Sequence, residues 1–249
     1  MNDVQVGPEQ RSSWQYPATM PRDTLNRERI VRTAIELLDA EGLEGLSMRG
    51  LGERLESAAT AVYWHVKSKD NLVMLAADEV WNEIELPELD VLGWRAAATT
   101  SARGLLRMLA RHPWLVQALS SHLLRGPGKA RYDDYSLAVY EKAGFAGVEA
   151  DRALAVVFMF VLGNAIGESA AVSLRRRLRQ DGSNVDDVIR ESMAHQIEIA
   201  QQFPRLQSRT LTVTDADYYT APEQSFELGL DVIFDGLERR LQAQAGRAK

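Results

Sequence analysis

The chain has 249 residues, 45% hydrophobic and 26% charged, the balance of a globular protein able to bury a sizeable core. It has no cysteine, which excludes disulfides, thiolate nucleophiles and zinc sites built on sulfur, and which fits a reducing cytoplasm. Acidic residues number 35 against 29 basic ones, a net charge of −6, so any contact with nucleic acid must come from a local patch and not from a diffuse basic surface.

Residues 1–24 are polar and Pro-containing and lack the charged-then-apolar order of a secretion signal. They are expected to form a flexible arm whose Arg11 and Arg22 either reach a neighbouring minor groove or stay solvated. From Leu25, the run LNRERIVRTAIELLDAEG sets Ile30, Val31, Ala34, Ile35, Leu37 and Leu38 at helical spacing, with Asn26 as N-cap and Gly42 as stop. Leu25 is placed to close over Ile30 from outside that cap. Ser47 starts a short helix with Met48, Leu51 and Leu55 facing inward, and a turn and a second short helix fill 56–66. Ser68 opens a longer helix with Leu72, Leu75, Ala76 and Val80 on its buried stripe.

Leu86 to Gly93, containing Pro87, breaks the pattern and marks a boundary between a unit at 25–85 and a larger one at 94–244. Helices are expected near 94–111, 114–125, 129–143, 148–179, 184–203 and 222–244, with 206–224 a long irregular loop. The alternation of half-buried strands is absent, so the fold class is all-α. The longest apolar run, 153–163, has about half the residues needed to cross a bilayer and reads as a buried helix, not a membrane anchor.

Two short helices joined by a tight turn and backed by a longer one make a helix-turn-helix, whose second helix enters the major groove of DNA. The residues there, TAVYWHVKSK at 60–69, suit that task. No carboxylate occurs from Ser57 to Lys69. Ala59 and Ala61 let the backbone approach base edges, and the Thr60 hydroxyl can give or accept a hydrogen bond. Tyr63 and His65 can donate to phosphate oxygens, Lys67 and Lys69 add charge, and Lys69 opens a helix whose free N–H groups favour a phosphate. Trp64 has two readings, core aromatic or DNA contact.

These residues carry a resemblance. The span 25–85 is similar to the DNA-binding domain of the TetR family of transcriptional repressors, through I-V-x-x-A-I-x-L-L-x-x-x-G-L-E-G-L-S-M-R-x-L at 30–51 and A-V-Y-W-H-V-K-S-K-x-x-L at 61–72. YWHVKSK resembles the subgroup of the tetracycline repressor. The resemblance implies that Ser47, Met48 and Arg49 open the supporting helix near the DNA backbone. It further implies that Ala59, Thr60, Ala61, Tyr63, Trp64 and His65 lie on the recognition helix and that Lys69 contacts phosphate. Glu56-Ser57 stands in the turn where relatives carry Gly and a small apolar residue. Glu85 and Leu119 fall where the tetracycline repressor has its metal- and drug-binding histidines, so neither tetracycline nor any metal or other cofactor is expected.

In the larger unit, Phe226, Leu230, Ile233 and Leu237 form a stripe beside Gly229 and Gly236, and the helix at 148–179 carries Gly163 and Gly167. Together they predict a four-helix interface between two copies of the chain, as the resemblance also implies. Candidate effector contacts are the polar or aromatic residues on apolar helices: Trp81, Met108, Trp114, His122, Phe158, Asn164, Glu168, Met193 and His195. Asn164 and Glu168, one turn apart, are expected to face together into a cavity or across the dimer seam. The expected function is a homodimeric repressor on a palindromic operator, released by a small, largely apolar effector. A ligand-independent regulator or activator shares the motif. An all-helical isoprenoid diphosphate enzyme is the remote alternative, prompted by Asp133-Asp134, Asp186-Asp187 with Glu191, and RRRLR at 175–179.

Overall fold

The computed structural model describes residues 25–210 and 215–247, and these contain helices and no strand. The expected arm at 1–24 lies outside them. Helix α1, Arg27–Gly45, starts where Asn26 accepts a hydrogen bond from the Arg29 N–H at 2.8 Å. Gly42, at φ 73° and ψ −177°, interrupts it as the sequence predicts, and one further turn follows the break. Helix α2, Met48–Arg54, is capped by Ser47, and α3, Ala59–Val66, follows a turn of four residues. Helix α4, Lys69–Val80, is capped by Ser68, whose hydroxyl accepts from the Asn71 N–H. Ile30, Leu38, Leu51, Val62, Val66 and Leu72 are fully buried where these helices meet.

A 3-10 turn, Trp81–Glu83, an extended stretch and the single-turn helix α5, Leu89–Leu92, lead to the larger set. It comprises α6 Trp94–Arg111, α7 Trp114–Ser121, α8 Pro127–Ala143, α9 Val148–Gln180, α10 Val185–Ala200, α11 Pro204–Thr210 and α12 Asp215–Arg247. Helix α6 packs along α8 and α9, and α12 lies on α9. Arg95 and Arg103 of α6 also reach Asp235 and Glu227 of α12, at 2.8 and 2.6 Å.

Two expectations fail. Helix α7 ends at Ser121 and not near 125, because the Ser120 and Ser121 hydroxyls both bond to the Gln117 carbonyl and compete with the last turn. The irregular loop expected at 206–224 is helical at its two ends, in α11 and in the first turns of α12. Thr, Asp and Tyr there read as turn chemistry, but Asp at a helix start is favoured, and the apolar stripe downstream carries the helix through.

Candidate nucleic-acid interface and effector region

The two-helix unit is held by backbone proximity. The Ser57 N–H donates to the Gly52 carbonyl at 2.9 Å, and a Cβ on Gly52 would lie 2.8 Å from the Ser57 oxygen, so α2 and the turn can close this tightly only on glycine. Glu56 makes the turn itself at φ 51°, a left-handed conformation that favours glycine. Glutamate at this position is therefore strained.

Helix α3 sends Val62 and Val66 inward, both fully buried, and this fixes what faces out. Thr60 and Lys67 are exposed, Tyr63 is 46% exposed and Trp64 81% exposed, its indole meeting the His65 ring edge-on at 5.1 Å. Of the two readings of Trp64, the core one is thus removed. An indole left in water forgoes roughly 2–3 kcal/mol of burial, which points to a partner. Ala59, Ala61 and His65 are half-buried along the same helix, and Lys69 is half-buried at the start of α4. Asn71 donates through Nδ2 to the Val66 carbonyl at 2.9 Å and so sets the angle between α3 and α4. On α2, Ser47 and Arg49 are exposed, Arg49 pairing with Glu53 at 3.0 Å. Met48 is a correction: its side chain is buried against the α1–α3 core and offers DNA nothing but backbone.

Helix α4 is clasped to α8 near its C-terminal end. Asp78 of α4 accepts from the N–H groups of Gly128 and Lys129, capping α8 from outside, and Gly126 and Gly128 are needed because a Cβ at either would strike Asp78. In return Arg131 of α8 donates to the Ile84 carbonyl at 3.0 Å, just past the end of α4. A second joint forms on α1. Asp39 accepts from Trp114 Nε1 at 2.7 Å and pairs with His112 Nδ1 at 2.8 Å, while His112 Nε2 meets Glu83 at 3.0 Å and Arg111 pairs with Glu83. Burial pulls the His112 pKa down, but the hydrogen bond and charge of Asp39 and the charge of Glu83 outweigh it and hold it above its ordinary value. No sequence signal singled out His112, because its partners lie 29 and 73 residues away.

The effector candidates separate into groups. Trp81 is fully buried, lies nearly parallel to Phe158 at 6.4 Å between centroids, and has Lys129 Nζ 5.3 Å from its ring. Its Nε1 has no hydrogen-bond partner among the described residues. Met108 is buried in the same continuous core. Trp114 is committed to Asp39, and His122 approaches Asp70 of α4 at 3.8 Å. Asn164 donates to the Phe160 carbonyl of its own helix at 2.8 Å and Glu168 is exposed, so the expected pairing of these two into one cavity is not formed within the chain. Met193 and His195 lie on α10, which buries none of its residues. Asp133 pairs with Lys129 at 2.6 Å and Asp187 with Arg190 at 2.8 Å, and among the described residues no group of three or more acidic or histidine ligands comes together.

The dimer stripe also divides. Phe226 and Leu230 are buried inside the chain, Phe226 stacking on Phe160 at 5.6 Å, and Gly229 makes room for that same Phe160 ring. These three belong to the fold of one copy, a correction to the expected interface. Ile233 and Leu237 are half-buried, whereas Gly163, Gly167 and Gly236 have nothing within 4 Å of an added Cβ among the described residues. Around them Val156 and Met159 of α9 and Leu228 and Val232 of α12 are exposed. Helix α9 has the length and apolarity of a membrane-crossing helix, but its other face is spent on α6, α8 and α12.

Residues 30–74 match the family described as bacterial regulatory proteins, tetR family, and residues 86–241 match the tetracyclin repressor-like C-terminal domain. The chain belongs to the TetR family of transcriptional regulators. Among TetR-family relatives it is 30% identical over 235 residues to the HTH-type transcriptional repressor DrrR1 of Streptomyces coeruleorubidus, covering 93% of this chain and 84% of that one. It is 37% identical over 145 residues to an HTH-type transcriptional regulator of Saccharopolyspora erythraea, a match spanning 58% of this chain and 61% of that protein. The TetR-family protein ActR of Streptomyces coelicolor, solved in complex with actinorhodin, superposes with a TM-score of 0.69 at 28% identity over 91% of this chain and all of that one.

Proposed function

We propose that the chain acts in the cytoplasm as a homodimeric repressor that binds a palindromic operator and is released by a small, largely apolar effector, with no catalytic step. The observation that carries this reading is the exposed Tyr63–Trp64 face of α3, free of carboxylates and backed by fully buried Val62 and Val66. In this reading Ala59, Thr60, Ala61 and Trp64 meet base edges and sugar, and Ser47, Arg49, Tyr63, His65, Lys67 and Lys69 meet phosphates. The exposed apolar residues of α9 and α12, around Gly163, Gly167 and Gly236, join two copies so that two α3 helices stand about 34–36 Å apart, one turn of DNA. The unit at 25–85 reads DNA and the unit at 94–244 holds the effector, and α4 transmits between them through Asp78 and Arg131. An effector with higher affinity for a conformer whose α3 helices are misplaced shifts the population off the operator. ActR, solved with a bound small molecule, supports an effector for this chain as well.

The test is selection of bound sequences from a random duplex pool with the purified protein. Recovery of an inverted repeat is the expected result, and recovery of no sequence above background by a folded dimer at low salt contradicts the reading.

A further inference from the structure

A cavity of about 720 Å³, within the size range of small-molecule sites, lies between the end of α1, α7 and α9. None of the effector candidates read from the sequence lines it. Its wall is apolar at Leu119, Leu162 and Ile166, and its far end is basic, with Arg176 and Arg177 of α9. Arg176 crosses to α1, donating through Nε to the Ala40 carbonyl and through Nη2 to the Asp39 carbonyl, each at 3.1 Å. Gly42 permits this approach, since a Cβ there would lie 2.3 Å from Arg176 Nη1. Arg177 is exposed and makes no ion pair among the described residues. Asp39 is thus held on both sides, its carbonyl by Arg176 and its carboxylate by His112 and Trp114.

We propose that this cavity is a regulatory site for a small amphipathic anion, its apolar body on Leu119, Leu162 and Ile166 and its carboxylate on Arg177 and Arg176. The proposal rests on the DNA-binding reading above. The anion competes with the Asp39 and Ala40 carbonyls for the Arg176 guanidinium, an ionised acceptor displacing two neutral carbonyls, and so frees the end of α1 from α9. Helix α1 packs on α2, α3 and α4, so its release repositions the DNA-reading helices. Glu41 and Glu44 of α1 also line the cavity and disfavour a polyanion spread across it.

The absence of cysteine gives a direct test. Ser173 lines the cavity and Ser183 is exposed outside it, so Ser173→Cys and Ser183→Cys each place one thiol per copy in the otherwise thiol-free full-length dimer. Each is labelled with N-phenylmaleimide or N-(4-carboxyphenyl)maleimide, and affinity for the selected operator is measured by fluorescence anisotropy. Unlabelled variants must bind as the parent does; if the parent itself binds no operator, the underlying DNA-binding reading fails and not this inference. The expected result is a loss of about tenfold or more on labelling Cys at 173, larger for the carboxylated label, with no loss on labelling at 183. Arg177→Gln should remove the difference between the two labels. Labelled protein that binds operator like unlabelled protein, or two labels with equal effect, overturns the proposal. Failure of the 173 thiol to react in the native dimer, while it reacts in the denatured chain, overturns it too, because a second copy then covers the cavity.

Discussion

Trp64 and His112 show how single side chains in this chain answer to opposite pressures. Trp64 is 81% exposed and holds nothing of the fold together, so Trp64→Ala should leave the melting temperature within about a degree or two while operator affinity falls about tenfold or more. Calorimetry beside anisotropy separates the two, and a large stability loss would return Trp64 to a structural role. His112 is the reverse case, buried between Asp39 and Glu83 with Arg111 pairing Glu83 and Trp114 sharing Asp39. Its folded pKa is raised, so folding favours the imidazolium. The stabilisation is complete below the ordinary value of 6.5 and is lost as pH rises through the folded value. His112→Gln should flatten denaturant-measured stability across that window, where the parent loses up to about 1.4 kcal/mol per pH unit. Equal slopes in parent and variant would contradict the assignment. The sequence left Trp64 undecided because helical spacing places an aromatic without saying which side is covered. It hid His112 because its partners are distant in the chain.

At the scale of elements, most helices were legible because caps and apolar spacing agree, as at Asn26, Ser47 and Ser68. What local patterns do not carry is the clasp between α4 and α8. Asp78 reads as one more acid on an exposed face, yet it caps a helix by binding the N–H of Gly128, 50 residues later. Asp78→Ala should cost about 1–2 kcal/mol in denaturant unfolding and weaken the coupling between halves. A cost near zero would mean that water caps α8 equally well. The turn between α2 and α3 offers a gain instead. Glu56→Gly relieves a left-handed residue and should add about 0.5–1 kcal/mol, whereas Gly52→Ala pushes a Cβ into the Ser57 carbonyl and should destabilise. The same sign for both changes would show that backbone conformation does not govern this turn.

For the whole molecule, the resemblance read from residues 30–72 led to the right family, and helical apolar spacing without strand alternation gave the all-helical class. The association surface was legible only in part. A stripe at helical spacing on α12 does not say which of its edges the chain keeps for itself, and Phe160 takes Phe226 and Gly229. The exposed remainder predicts that Met159→Asp or Val232→Asp yields folded monomers in sedimentation, with operator affinity reduced; a dimer that survives both would place the seam elsewhere. In the proposed dimer two α3 helices read one DNA face together. Hydroxyl-radical footprinting of the parent dimer on its selected operator measures this most directly. Two protected patches on one face, about 10–10.5 base pairs apart, are the expected result. A single patch, or protection unchanged when Tyr63 and Trp64 are both replaced by alanine, would contradict it.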